Sequence, residues 1–157
     1  MSWDKSGDPR ILRRWFGDME VKKHIYTMGI AGEIFMKNLK DKGVITGSRC
    51  DECEVIFVPP RSFCEYCFSE LTVYEELEPK GYIETFTIVY EDYHGERLEK
   101  PLIIALIALP NAVGGIIHYI REVEPEDVYI DMEVEAVLKP RDERAGNLSD
   151  ILYFKPT

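Results

Sequence analysis

The sequence predicts an α+β chain that is mainly β: N-terminal helices, then a four-cysteine ribbon, then a small closed β-barrel of the OB type. Three observations carry this expectation. Apolar residues recur at helical spacing up to residue 42, two C-x-x-C pairs lie between residues 50 and 67, and short β-rich runs follow from Leu71 to the end. A chain of 157 residues suits one ordinary core with a small module attached, not two full-sized cores. The expected division is a helical arm over 1–43, a zinc ribbon over 44–70 and an OB-fold domain over 71–157.

In the arm, Asp8-Pro9 offers an N-cap followed by proline at the first helical position, which predicts a short helix over 10–16 closed by Gly17. Asp18 caps a longer candidate. Val21, Ile25, Met28, Phe35 and Leu39 recur there at three-, four- and seven-residue spacing, with Gly32 in the same stripe and Gly43 as the stop. Lys22, Lys23, Lys37 and Lys40 occupy the other face. Gly29 and Gly32 either weaken this helix, break it in two, or let another chain approach closely. The stripe is read as an amphipathic arm outside the main core, and residues 18–42 as the preferred element for docking a partner.

The ribbon carries Pro59-Pro60 as a stiff connection between its cysteine pairs. Beyond it the predicted strands are Leu71–Leu77, Tyr82–Tyr90, Leu102–Leu109, Gly115–Glu122, Met132–Leu138 and Ile151–Phe154, several of them separated by turn signals such as His94-Gly95 and Gly114-Gly115. Met132, Val134, Ala136 and Leu138 alternate with Glu133, Glu135 and Val137, as in a strand with one face toward a core. Leu102–Leu109 is apolar on both faces, so the second face is expected to be covered by helix, partner or ribbon. Short strands in this number suit closure, which removes exposed edges.

Charge is uneven. Residues 1–47 hold nine Lys/Arg against six Asp/Glu, while 48–157 hold ten against twenty-three, within a net charge of −10. The acidic part would repel a phosphate backbone unless its few basic side chains converge. No secretory leader is read at the N-terminus, and the longest apolar run, Leu102–Leu109, is under half a membrane span. A cytoplasmic location is expected. In that compartment paired C-x-x-C motifs point to a metal rather than to disulfides.

The ligands are Cys50, Cys53, Cys64 and Cys67, with ten residues between the pairs. Two such turns on facing hairpins give tetrahedral coordination, as in a rubredoxin-like zinc ribbon. Zinc is the expected ion, and iron the competitor because it takes the same ligand set. Glu54 and Phe68 follow the pairs where an iron site of this kind usually has glycine, which argues against redox iron. Four thiolates leave no open position for catalysis. His24, His94 and His118 are scattered and read as packing or surface residues, the acidic clusters as solvated faces, and Gly114-Gly115 as a turn with no phosphate-binding helix after it. No catalytic residue is assigned.

The run Arg49-Cys50-Asp51-Glu52-Cys53, then Phe57-Val58-Pro59-Pro60-Arg61, Cys64-Glu65-Tyr66-Cys67 and Gly81-Tyr82-Ile83-Glu84-Thr85-Phe86-Thr87, resembles the zinc-ribbon plus OB-fold acyl-CoA-associated proteins, long catalogued as a domain of unknown function. Lys100-Pro101-Leu102, Ile104–Leu109 and Tyr153-Phe154-Lys155-Pro156 extend the likeness over 49–156. Glu54 and Asp131 depart from it, standing where glycine is common. The resemblance implies a non-catalytic accessory or scaffold subunit that binds acyl-CoA or its enzyme. Its partner would be a thiolase (acetyl-CoA acetyltransferase), joined by hydroxymethylglutaryl-CoA synthase in acetoacetyl-CoA and mevalonate-pathway chemistry, with CoA as a shared ligand. Under it Arg61 meets a CoA phosphate or partner carboxylate, or else makes a salt bridge on the ribbon surface. Phe86 lines a pantetheine path, or else fills the barrel core. The alternative function is a single-stranded nucleic-acid module, a use to which both ribbons and OB-folds are put. An electron carrier is a third.

Overall fold

A computed structural model describes residues 28–92 and 94–157. The expected helix over 10–16 and the first part of the longer one lie outside the described residues. One α-helix, α1 (Gly29–Lys42), precedes eight strands: β1 (Ile45–Cys50), β2 (Val55–Val58), β3 (Val73–Leu77), β4 (Lys80–Glu91), β5 (Arg97–Ala108), β6 (Ala112–Ile120), β7 (Glu133–Leu138) and β8 (Ile151–Pro156). The plural N-terminal helices are thus one helix among the described residues.

Helix α1 is not an arm clear of the core. Phe35 and Leu39, four residues apart on one face, sit in the main hydrophobic cluster with Ile45, Val58, Ile83, Ile107, Val134 and Phe154. The apolar stripe of 29–42 is therefore spent inside the chain, which corrects the expectation of a free docking helix there. Asn38 ties the helix to β1 through Nδ2, which donates to the buried Thr46 hydroxyl at 3.0 Å. Gly43, at φ 73°, ends the helix and donates its N–H to the carbonyls of Asn38 and Leu39.

The strands form one sheet in the order β3-β1-β2-β6-β5-β4-β7-β8, and β6 also pairs with β8. β4 to β8 thereby make a closed circuit: β4 with β5, β5 with β6, β6 with β8, β8 with β7, and β7 with β4. Inward residues alternate along it; Ile103, Ala105 and Ile107 of β5 are buried while Leu102, Ile104 and Leu106 are half-covered. The second apolar face of β5 is thus only partly sheltered. At the β4–β5 hairpin, the Asp92 carboxylate accepts from the amides of His94 and Glu96, the local bonding that makes Asp a turn residue.

The remaining strands, β1, β2 and β3, form an antiparallel sheet that meets this circuit where β2 runs parallel to β6, with Phe57 beside Val113 and Val58 beside Gly114. Here the structure differs from the expected turn at Gly114-Gly115, for both glycines lie inside β6. The reason is steric. A Cβ on Gly114, which has φ +88°, would stand 2.3 Å from the Val58 carbonyl oxygen, and one on Gly115 would stand 2.4 Å from that of Ile107. The pair lets three strands converge where β2 joins the circuit.

Candidate metal centre and the surface around it

Two knuckles build the cysteine cluster. β1 delivers Cys50 at its last residue, and the turn into β2 carries Cys53. The second pair lies in a loop pinned by the Cys64 amide donating to the Ser69 carbonyl at 2.9 Å and the Leu71 amide donating to that of Ser62 at 2.8 Å. All four sulfurs lie within 4.8 Å of one another. Cys50 and Cys67 approach to 3.5 Å, and Cys53 and Cys64 to 3.8 Å. Tetrahedral Zn–S bonds of about 2.3 Å require S···S edges of about 3.8 Å, close to these two separations, so this donor set fits a divalent ion. Cys50, Cys53, Cys64 and Cys67 would hold it, and its chemistry there would be cross-linking.

The surroundings act unequally on the sulfurs, lowering the Cys50 thiol and raising those of Cys53 and Cys67. Ser69 places its hydroxyl 3.0 Å from Cys67 Sγ and 3.4 Å from Cys50 Sγ. With no ion bound, this hydrogen bond is the main cause that lowers the Cys50 thiol to about 6, while hydrogen bonding to Cys67 and burial push Cys53 up to about 12. A cation held at the centre would favour the thiolate form of all four sulfurs.

Both knuckles are closed by left-handed residues, Glu54 at φ 54° and Phe68 at φ 63°. These are the positions where glycine was expected for an iron site, and the backbone adopts the glycine-like conformation without it. The missing glycines therefore do not separate iron from zinc by themselves. Asp131, the other departure from the family pattern, also has positive φ, 68°. In both places the backbone shape is kept at a cost of about 1–2 kcal/mol for a side chain in that region.

Beneath the cysteines lies a small core of Cys50, Phe57, Cys64 and Leu71, against which Val55 and Val113 pack. Phe57 faces this core and its neighbour Val58 faces the main one, so β2 is shared between them. Arg61 lies over the Phe57 ring at 4.9 Å and pairs with Glu65, while its amide donates to the buried Ser48 hydroxyl at 2.8 Å. This is the ribbon-surface ion pair weighed in the sequence. Phe86 sits in β4, partly buried against the main cluster. Arg61 and Phe86 thus lie on different modules. His118 of β6 packs edge-on to Phe154, with ring centroids 5.9 Å apart, and burial is the main cause lowering its pKa.

Sequence reasoning passed over the surface beside the centre. An apolar groove of about 500 Å³ is lined by Met28, Gly32, Phe35 and Met36 of the helical segment, by Pro59 and Pro60, and by Ile116, Ile117 and Leu148. It adjoins a second hollow of about 620 Å³ through Ile117 and Leu148. Nothing in the linear pattern brings those segments together, and the signal available was only the solvent-side placement of Ile117 and Leu148.

A cysteine ribbon fused to an OB-type sheet defines a class of two-module proteins, and comparisons agree on both parts. The family model for the ChsH2 rubredoxin-like zinc ribbon domain matches residues 38–72, and that for the ChsH2 C-terminal OB-fold domain matches 74–139. A DUF35 domain-containing scaffold protein from Methanocaldococcus jannaschii is 34% identical over 125 residues, which cover 76% of this chain and 86% of that one. A solved DUF35-family structure from Sulfolobus solfataricus is 38% identical, with a TM-score of 0.62 over 69% of this chain and 78% of the other. The Ltp2-ChsH2(DUF35) aldolase structure shares the fold, with a TM-score of 0.58 at 19% identity over 78% of this chain and 91% of that one. The chain belongs to the DUF35 family of zinc-ribbon and OB-fold proteins. No helix among the described residues is long and apolar enough to cross a membrane.

Proposed function

We propose that this chain is a non-catalytic scaffold subunit that binds an acyl-CoA or the enzyme using it, with a thiolase as partner and hydroxymethylglutaryl-CoA synthase as the second enzyme of the assembly. The observation that carries the reading is the continuous sheet across β2 and β6, which makes ribbon and OB-type module one rigid platform. Membership of a family whose curated relatives are scaffold proteins supports it. A four-thiolate centre has no open position for substrate, so the metal serves that rigidity and the carbon–carbon chemistry belongs to the partner. The division of labour follows the ribbon at 44–70 and the OB-fold domain at 71–157, with α1 of the 1–43 region packed into the main core. Arg61 and Phe86 are the contact residues for CoA or partner, Arg61 because its guanidinium is partly exposed and can exchange Glu65 for a phosphate or a foreign carboxylate.

Affinity purification of the full chain from its native cytoplasm tests this. Recovery of a thiolase that remains at raised salt, and is weakened by Arg61→Ala, is the expected result. Recovery of RNA or DNA that is lost as salt rises would instead establish the single-stranded nucleic-acid reading.

A further inference from the structure

Ser69 stands two residues beyond Cys67, between the exposed residues Phe68 and Glu70, yet is itself half-buried. Three of the four cysteines meet it. Its carbonyl accepts from the Cys64 amide at 2.9 Å, and its hydroxyl lies 3.0 Å from Cys67 Sγ and 3.4 Å from Cys50 Sγ. Cys64 and Cys67 belong to the second knuckle, whereas Cys50 ends β1. The hydroxyl therefore spans the gap between the two knuckles, at the pair of sulfurs that approach to 3.5 Å.

We infer that Ser69 is a positioning residue of the metal centre: its hydroxyl donates one proton, shared between the Cys67 and Cys50 thiolates, and so holds the two knuckles in register around a divalent ion. This goes beyond the scaffold reading and does not depend on which enzyme the chain serves. The direction of the bond follows from the chemistry of the donor set. A thiol and a hydroxyl can each donate, but sulfurs bound to a cation carry no S–H, so the sulfur accepts and the proton comes from Ser69. The need for it follows from charge. Four thiolates around a divalent ion leave a surplus of negative charge, and residues 49–72 add five Asp/Glu against two arginines. Both arginines are already engaged, Arg49 with Asp51 and Glu75, and Arg61 with Glu65. In so acidic a module a hydroxyl proton draws charge from the sulfurs without a further cation, and hydrogen bonds to an ionised acceptor are the strong ones. The carbonyl of the same residue fixes where that hydroxyl stands, because it is tied to the Cys64 amide.

The experiment compares full chains loaded with cobalt(II), whose thiolate-to-metal charge-transfer band reports the electron density on the sulfurs. Without the hydroxyl proton the sulfurs are richer in electrons, so Ser69→Ala should move the band to longer wavelength. It should also weaken zinc binding, measured by competition with a chromophoric chelator, by about 10–100-fold, the usual effect of losing a group that hydrogen-bonds a metal ligand. Ser69→Thr, which keeps a hydroxyl, should stay close to the unmutated chain in both. Should Ser69→Ala fold poorly, Ser69→Val against Ser69→Thr makes the same comparison between side chains of equal shape. Three results would overturn the proposal: a band and an affinity indifferent to loss of the hydroxyl, weaker binding with the band unmoved, which would leave Ser69 a structural residue of the loop, or a Ser69→Thr chain that behaves like the hydroxyl-free variants.

Discussion

The ribbon and the OB-type module share a sheet but are held together by different means. Around β4 to β8 and α1 the main cluster brings together sixteen buried residues, mostly aliphatic, on strands that close a circuit. The ribbon cluster has four buried residues, two of them cysteines. The first region can fold on burial alone, whereas the second has too little apolar surface to offset its chain entropy and depends on the cross-link its thiolates make. An ion at the four thiolates would supply the small module with the rigidity its core lacks, and β2 links that module to its neighbour.

Removing the ion should break the comparison most visibly. Structural zinc sites contribute about 10–16 kcal/mol of apparent binding energy, so a strong chelator is expected to release amide protection in β1, β2 and β3 while the amides of Ile103 to Ile107 stay protected. Hydrogen exchange measures this, and equal protection with and without chelator would show that the ribbon stands on its own core. Elemental analysis of protein made with both metals present should find zinc.

The reverse perturbation is next in size. Phe154 is fully buried in the main cluster, and Phe154→Ala should cost about 3–5 kcal/mol in denaturant unfolding of the whole chain. If only the ribbon responded, the roles assigned to the two regions would be wrong.

Asp150 gives a smaller and pH-dependent effect. Its buried carboxylate accepts from the amides of Ala145, Gly146 and Asn147 at 2.8, 2.7 and 3.3 Å. Burial alone would raise its pKa, but these bonds together with Lys139 outweigh it and hold the carboxyl below its ordinary value near 3.8. The stabilisation is present in full above that value and is lost as pH falls through the depressed native pKa. Asp150→Asn should cost about 1–3 kcal/mol at neutral pH and flatten the acid limb of the stability curve. An unchanged acid limb would remove Asp150 from the account.

The smallest effect sharpens the view of the knuckles. Phe68 is 79% exposed and left-handed, so Phe68→Gly should relieve backbone strain and lose little packing. Part of that gain is offset by the extra freedom of glycine in the unfolded chain, leaving up to about 1 kcal/mol in favour of the variant. Phe68→Ala, which keeps a Cβ, should show no such gain in the chelator-free melting temperature.

Much of this molecule was legible beforehand. Cysteine spacing marked the donor set, because a C-x-x-C turn encodes its geometry within four residues. Alternation in 132–138 and the β-branched runs located the strands, since a strand's periodicity is local. Three features were not. The amphipathic stripe of α1 looked free because a stripe shows that a face is buried without saying against what; Phe35 and Leu39 bury it in the chain's own core. Gly114-Gly115 looked like a turn because the need for glycine came from carbonyls of Val58 and Ile107, far away in the sequence. Glu54 and Asp131 looked like departures in backbone shape, yet both take positive φ, as the surrounding contacts outweigh an intrinsic preference of about 1–2 kcal/mol.

By itself, then, the sequence determined what depends on neighbours along the chain: the donor set of the metal centre, the order of modules, the β character and the acidic balance of the C-terminal part. Tertiary structure decided what depends on distant segments meeting. It joined β2 to β6 into one platform, drew α1 into the core, and left an apolar groove where helix, proline pair and β6 converge. Local propensity has no information about such meetings, because they are selected by the burial and close approach of residues separated by tens of positions in the chain.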